Sequence, residues 1–282
     1  MVIPAAALRE NRRPTGVQCR RAGQPPPDRD VKPGLHALAR IGVTWPLPTR
    51  PATTVLAYHH VRDDVAAAIS RAGFADQMAW LAAQPDLPVV SLRDALNGRG
   101  TAGEVRRSVV ITFDDAYDDT RATAMQVVAD AGFPATVYVP SRLLGRREHM
   151  SAADLLDMVR AGFEVGSHSR DHVNLRECDR SELEAQIVGS KADLEDLTGA
   201  PVRSFAYPYG LHRERVRAAV AAAGYESAVV CEHGWLRRGI DVFRIPRVLL
   251  DEMTIRTFAA VARGGLNLLA PLNRALVKRR PH

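Results

Sequence analysis

Cysteine is scarce in this 282-residue chain: there are three, at Cys19, Cys178 and Cys231. An odd number with no paired spacing supplies neither a disulfide framework nor a thiolate metal site. Long apolar runs are absent too, and no stretch reaches the roughly 18 residues that a membrane-spanning helix needs. The first residues, Met1 to Arg13, lack an apolar segment behind a basic start. That makes a poor secretory signal and points to the cytoplasm. A one-signed field is lacking where a nucleic-acid face would need it. The formal charge is +6, but residues 1–50 hold nine Lys/Arg against three Asp/Glu, while residues 51–282 hold 29 of each sign. All the excess therefore sits in one terminal segment, which also carries eight of the 18 prolines. Such a composition offsets the entropy of ordering poorly, so residues 1–50 read as a flexible basic arm and residues 51–282 as the folded domain. The arm could touch an anionic membrane surface, although a plain solvated extension is the simpler reading.

What is present from residue 53 onward is regular. Thr53–Tyr58, Val89-Val90, Ser108–Phe113, Ala135–Val139, Phe163–Gly166, Arg203–Ala206, Ser227–Val230 and Ile245–Leu250 read as strands. Between them lie helical patterns at Phe74–Leu81, Leu92–Asn97, Thr120–Ala131, Ser151–Ala161, Ser181–Leu197 and Arg213–Ala223. Several open on Ser or stop at Gly, as capping requires. The apolar stretch Phe258–Val277 predicts a C-terminal helix packed on the same domain. Alternating strands and helices with short connections specify a parallel α/β sheet, open or closed into a barrel. In such folds chemistry gathers just past the C-terminal ends of the strands.

The polar residues at those ends form a set. His59-His60 follow the first strand, Asp114-Asp115 the strand Ser108–Phe113, Ser167-His168-Ser169-Arg170-Asp171-His172 the strand Phe163–Gly166, and Tyr207-Pro208-Tyr209-Gly210 the strand Arg203–Ala206. Two histidines at i and i+4 with a carboxylate from elsewhere make a two-His, one-carboxylate site for Zn²⁺ or Fe²⁺, with a position left for water. Adjacent carboxylates repel unless one binds the metal, which frees the other to act as a base. Each fragment alone has a bland explanation: an Asp pair after a strand is most often a turn, and Tyr-Pro-Tyr-Gly is a turn sequence. Their joint occurrence, in order, carries the weight.

That order, Val110-Ile111-Thr112-Phe113-Asp114-Asp115, then His168-Ser169-Arg170-Asp171-His172, then Phe205-Ala206-Tyr207-Pro208-Tyr209-Gly210, resembles the polysaccharide deacetylase family, carbohydrate esterase family 4 with its NodB-homology domain. Gly132-Phe133-Pro134-Ala135-Thr136-Val137-Tyr138-Val139-Pro140 extends the likeness, which covers roughly residues 53–250. The resemblance implies a deformed (β/α)7 barrel related to the TIM barrel, a divalent metal such as Zn²⁺, and removal of acetyl groups from a carbohydrate polymer or oligomer. By the same resemblance Asp114 is the general base, Asp115, His168 and His172 are the metal ligands, and the backbone N–H of Tyr209 helps hold the oxyanion. Tyr207, Trp235 and Arg247 are expected to bind or orient substrate or base.

Two departures stand out. Many members place an Arg where this chain has Ala206, and Arg247 is the candidate to hold Asp114 instead. Many also take the general acid from a late Leu-x-x-His motif that is missing here. Tyr58-His59-His60-Val61 resembles the first strand of the poly-N-acetylglucosamine deacetylase branch, which makes His59 the expected acid and His60 the fallback. Members of the family commonly work outside the cytoplasm, which stands against the reading of the first residues. Other readings are an amidohydrolase of a small non-peptide C–N bond and an inactive carbohydrate-binding relative; retention of all four core groups argues against the last.

Overall fold

A computed structural model describes residues 52–65, 68–98 and 107–265. The basic segment 1–50 and the end of the expected C-terminal helix, from residue 266 onward, lie outside the described residues.

Eight strand segments run parallel in the spatial order β7-β6-β5-β4-β3-β2-β1-β8. They are β1 (Ala52–Tyr58), β2 (Arg107–Phe113), β3 (Ala135–Val139), β4 (Glu164–Ser167), β5 (Ser204–Ala206), β6 (Ser227–Val230), β7 (Ile245–Pro246) and β8 (Val248–Leu249). The expected strand Ile245–Leu250 is thus split at a single residue, Arg247. Before it, Ile245 and Pro246 pair with Val229 and Val230 of β6; after it, Val248 and Leu249 pair with Leu56 and Ala57 of β1. One short segment therefore bonds to both ends of the sheet and nearly closes it into a barrel, which abolishes most exposed edges.

The helices are α1 (Arg71–Ala82), α2 (Leu92–Leu96), α3 (Met125–Asp130), α4 (Ala152–Arg160), α5 (Arg180–Thr198), α6 (Glu214–Ala222) and α7 (Ile255–Ala262). Their ends follow local chemistry. Ser151 with Asp154 and Asp179 with Glu182 form reciprocal capping boxes, and Gly199 ends α5 at φ 65°. Two expectations are revised. Val89-Val90 makes only a single bridge to Val109 rather than a strand. The helix expected from Thr120 opens with a wide π turn, Thr120–Ala124, before α3. No helix among the described residues is long and apolar enough to cross a membrane.

Strand alternation sorts the core into two layers. Leu56, Tyr58, Ile111, Phe113, Val137, Phe205 and Ala228 face the helices. Val55, Val110, Tyr138, Ala206, Val229 and Ile245 fill the barrel interior, with Leu92 and Leu236 among their neighbours. The interior is tight: a Cβ on Gly166 would stand 2.4 Å from the Tyr138 ring, so only glycine lets that ring lie across β4.

Candidate active site

The two charged groups buried deepest in the site belong to the interior layer. Arg247, the residue that splits the last strand, points inward with a wholly buried side chain, and Asp114 is 2 % exposed. The guanidinium donates to both carboxylate oxygens of Asp114, each at 2.7 Å, and also to Thr112 Oγ1 at 3.1 Å. This is the bidentate fork that suits a carboxylate. Thr112 in turn donates to the Leu56 carbonyl, and the Tyr138 ring lies 5.4 Å from the guanidinium carbon. Ala206, on β5, also faces the interior. Burial by itself raises the Asp114 pKa, but the charge and hydrogen bonds of Arg247 outweigh it and hold the carboxyl well below the usual carboxylate range.

Asp115 turns the other way. It and Ala116 adopt left-handed backbone angles, φ 67° and 54°, directly after β2. Such angles cost about 1–3 kcal/mol each in non-glycine residues and persist only where the surroundings impose them. Here His149 donates from Nδ1 to the Asp115 carbonyl at 2.9 Å, and the Met150 N–H donates to the Ala116 carbonyl at 3.0 Å. The turn aims the Asp115 carboxylate at two histidines: Oδ1 lies 3.6 Å from His168 Nε2 and 3.2 Å from His172 Nε2. His168 donates from Nδ1 to the Ala206 carbonyl at 2.7 Å, which orients the ring with Nε2 toward Asp115. Burial pushes the His172 pKa down to about 4, so it is neutral near pH 7.

Among the described residues Asp115, His168 and His172 are the one group of three or more His, Cys, Asp or Glu side chains that could hold a metal ion. The donor set fits zinc. Tetrahedral ligands about 2.0–2.1 Å from the ion stand about 3.3–3.4 Å from one another, and the separations of 3.2 and 3.6 Å straddle that value.

His59 lies beside this group. Its Nε2 is 3.9 Å from Asp114 Oδ2, too long for a hydrogen bond, and its side chain is 38 % exposed. Tyr58 and Phe113 are register partners, so the residues that follow them leave neighbouring strands at one level. His60 faces the other way, bonded through Nδ1 to Asp119 at 2.8 Å and stacked on Tyr117 at 3.7 Å. Tyr209, at φ 60°, packs its ring 4.6 Å from His172 and donates its hydroxyl to the His172 carbonyl.

Two expected substrate contacts are not in the site. Tyr207 is fully buried and donates its hydroxyl to the Phe243 carbonyl at 3.1 Å. Alternation from inward Ala206 turns it toward the helices. Trp235 precedes Leu236, which pairs with Thr53 at the start of β1, whereas the site lies past the end of that strand. Its indole nitrogen packs against Gly264, after α7. Sequence reasoning missed His149, whose loop gives no signal that it reaches back to the Asp115 turn.

The known proteins similar to this chain are deacetylases. The family model described as polysaccharide deacetylase matches residues 102–228. A poly-beta-1,6-N-acetyl-D-glucosamine N-deacetylase of Staphylococcus aureus is 25 % identical over 198 residues, 65 % of this chain and 68 % of that protein. The structure of IcaB from Ammonifex degensii is 26 % identical, with a TM-score of 0.68 over 76 % of this chain and 97 % of that one. The deacetylase PplD of Streptococcus pyogenes, solved in complex with acetate, shares the fold at 16 % identity and a TM-score of 0.70, over 76 % of this chain and 99 % of that one.

Proposed function

We propose that this chain, which belongs to the polysaccharide deacetylase family and is a hydrolase of amide C–N bonds, removes N-acetyl groups from an N-acetylglucosamine polymer with a bound divalent metal and Asp114 as base. The observation that carries this reading is the division between the two aspartates. Asp114 is locked by Arg247 and kept ionised, while Asp115 is turned onto His168 and His172. The substrate class rests on the Staphylococcus aureus relative, whose name specifies a β-1,6-linked polymer.

Asp115, His168 and His172 would hold the metal, which when bound polarises the acetyl carbonyl and acidifies water. The other groups then have separate tasks. Asp114 accepts a proton from the attacking water; Arg247 engages both of its oxygens but leaves lone pairs on each. The backbone N–H of Tyr209, whose ring packs on His172, donates to the carbonyl oxygen as negative charge develops there. The C–N bond then breaks, and the nitrogen leaves as an amine only if it gains a proton. His59, at the exposed rim next to Asp114, gives it.

Acetate release from β-1,6-linked N-acetylglucosamine oligomers is the direct test. The purified protein is expected to release acetate, to lose that activity to a chelator and to regain it with zinc. Failure to release acetate despite bound zinc would sink the substrate assignment.

The acid role has its own expected result. His59→Ala should slow amide cleavage about 10²–10⁴-fold with zinc still bound. An activated ester with a good leaving group should suffer much less, because that group departs without a proton. Equal losses on both substrates would remove His59 from the acid role.

A further inference from the structure

The two metal-ligand candidates on one segment, His168 and His172, are joined by a turn that follows β4. Ser169 and His172 both have left-handed backbone angles, φ 64° and 51°, without being glycine. A turn of this kind needs its surroundings to over-determine it. Its intervening N–H groups, on Arg170 and Asp171, both donate to a single atom: Gln186 Oε1, at 3.1 and 3.0 Å. The amide nitrogen of Gln186 donates back to Asp171 Oδ2 at 2.6 Å. Gln186 lies on α5, is 8 % exposed, and spends its side chain on this turn.

The same helix face makes a second hold. Arg170 forms a two-pronged ion pair with Asp193, at 2.8 and 2.6 Å. Ser141 donates to the same carboxylate at 2.7 Å and so fixes it from a third element. Between Gln186 and Asp193 stands Gly189, where a Cβ would come within 2.5 Å of the Arg170 guanidinium carbon. Gln186, Gly189 and Asp193 are spaced i, i+3 and i+7, which places them on one side of a helix. On the turn's other flank, the Ser141 and Arg142 N–H groups donate to the Ser169 and Arg170 carbonyls.

We propose that Gln186 is a positioning residue: with Asp193 it clamps the Ser169–His172 turn from α5 and so sets the His168–His172 spacing that metal binding requires. The proposal rests on the reading of Asp115, His168 and His172 as metal ligands. The hydrogen bonds of Gln186 go to the turn's backbone and to Asp171, so it acts through the backbone that carries the ligands. Partners outside the ligand shell commonly tune metal affinity about 10–100-fold.

The test uses the full chain, zinc as the probe, and chelator competition to measure its Kd, alongside thermal melting of the zinc-free protein. Gln186→Leu keeps the bulk and removes both acceptor and donor. It is expected to weaken zinc binding about 10–100-fold while the zinc-free protein melts within a few degrees of the original. Reversing the polarity provides the rescue. Gln186→Glu alone keeps the acceptor but sets a carboxylate against Asp171; combined with Asp171→Asn, it restores a donor–acceptor match. The double variant is therefore expected to bind zinc within a few-fold of the original, and more tightly than Gln186→Glu alone. This pair also decides the matter should Gln186→Leu fail to fold. Unchanged zinc affinity in Gln186→Leu would overturn the proposal, as would a double variant no better than Gln186→Glu. If the unsubstituted protein itself binds no zinc, it is the ligand assignment that fails, a result distinct from either of these.

Discussion

Asp114→Asn is expected to remove about 10²–10⁴ of turnover with zinc still bound, whereas Asp115→Asn is expected to lose the metal. The two residues are neighbours in sequence, yet the backbone sends their side chains to different partners. Asn at 114 preserves the shape of the group but cannot accept the proton from water. It also exchanges one acceptor oxygen for a donor facing Arg247, which donates to both oxygens of the native carboxylate. Some stability is therefore lost as well, and turnover has to be measured well below the variant's melting temperature. Asp115→Asn leaves Arg247 untouched but removes the anionic oxygen that lies 3.6 and 3.2 Å from the two histidines. Zinc content per chain, measured beside acetate release, separates the two outcomes. If both variants lose zinc to the same degree, the assignment of base to Asp114 and ligand to Asp115 is wrong.

How much of this was legible in the sequence depends on the range of the interaction. Strands and helices were readable because alternation and capping are local: Ser151 and Gly199 mark helix ends before any packing is known. The ligand set was readable because each member follows a strand, and a parallel barrel brings strand ends together. Arg247 could be singled out only as a replacement for the arginine missing at Ala206. Its inward direction depends on how the last segment divides its pairing between β6 and β1, which no local pattern encodes. Tyr207 and Trp235 were misplaced for a related reason: an aromatic side chain near a motif carries no mark of which face it takes. Tyr207 follows inward Ala206 and so faces the helices, and Trp235 belongs to a segment that crosses to the start of β1. The left-handed angles at Asp115 and His172 were hidden because neither residue is glycine. Gln186 was hidden because its hydrogen bonds span 15 and 16 residues of sequence.

Arg247→Met should destabilise the fold by about 3–5 kcal/mol near neutral pH, the usual cost of leaving one partner of a buried pair uncompensated. Both side chains are essentially out of contact with water, so solvent does little to screen the loss. The variant should also reverse the pH dependence contributed by Asp114. In the native protein the folded-state pKa of Asp114 lies below its unfolded value, because Arg247 outweighs the effect of burial. Its stabilising contribution is then present above the ordinary carboxylate pKa and is lost as pH falls through the folded value. With Arg247 gone, burial becomes the dominant influence and the folded-state pKa moves above the unfolded one. That contribution is fully present below the unfolded pKa and disappears as pH rises through the folded value. The gap between the two proteins is thus widest at neutral pH and narrows in acid, where the variant can protonate Asp114 and bury it neutral. Urea denaturation at about pH 7.5 and about pH 4.5 measures the gap directly, and carboxylates elsewhere cancel in the difference because they titrate alike in both proteins. A gap that stayed constant or grew on acidification would show that Arg247 supports the barrel by filling its interior, with its charge on Asp114 contributing little.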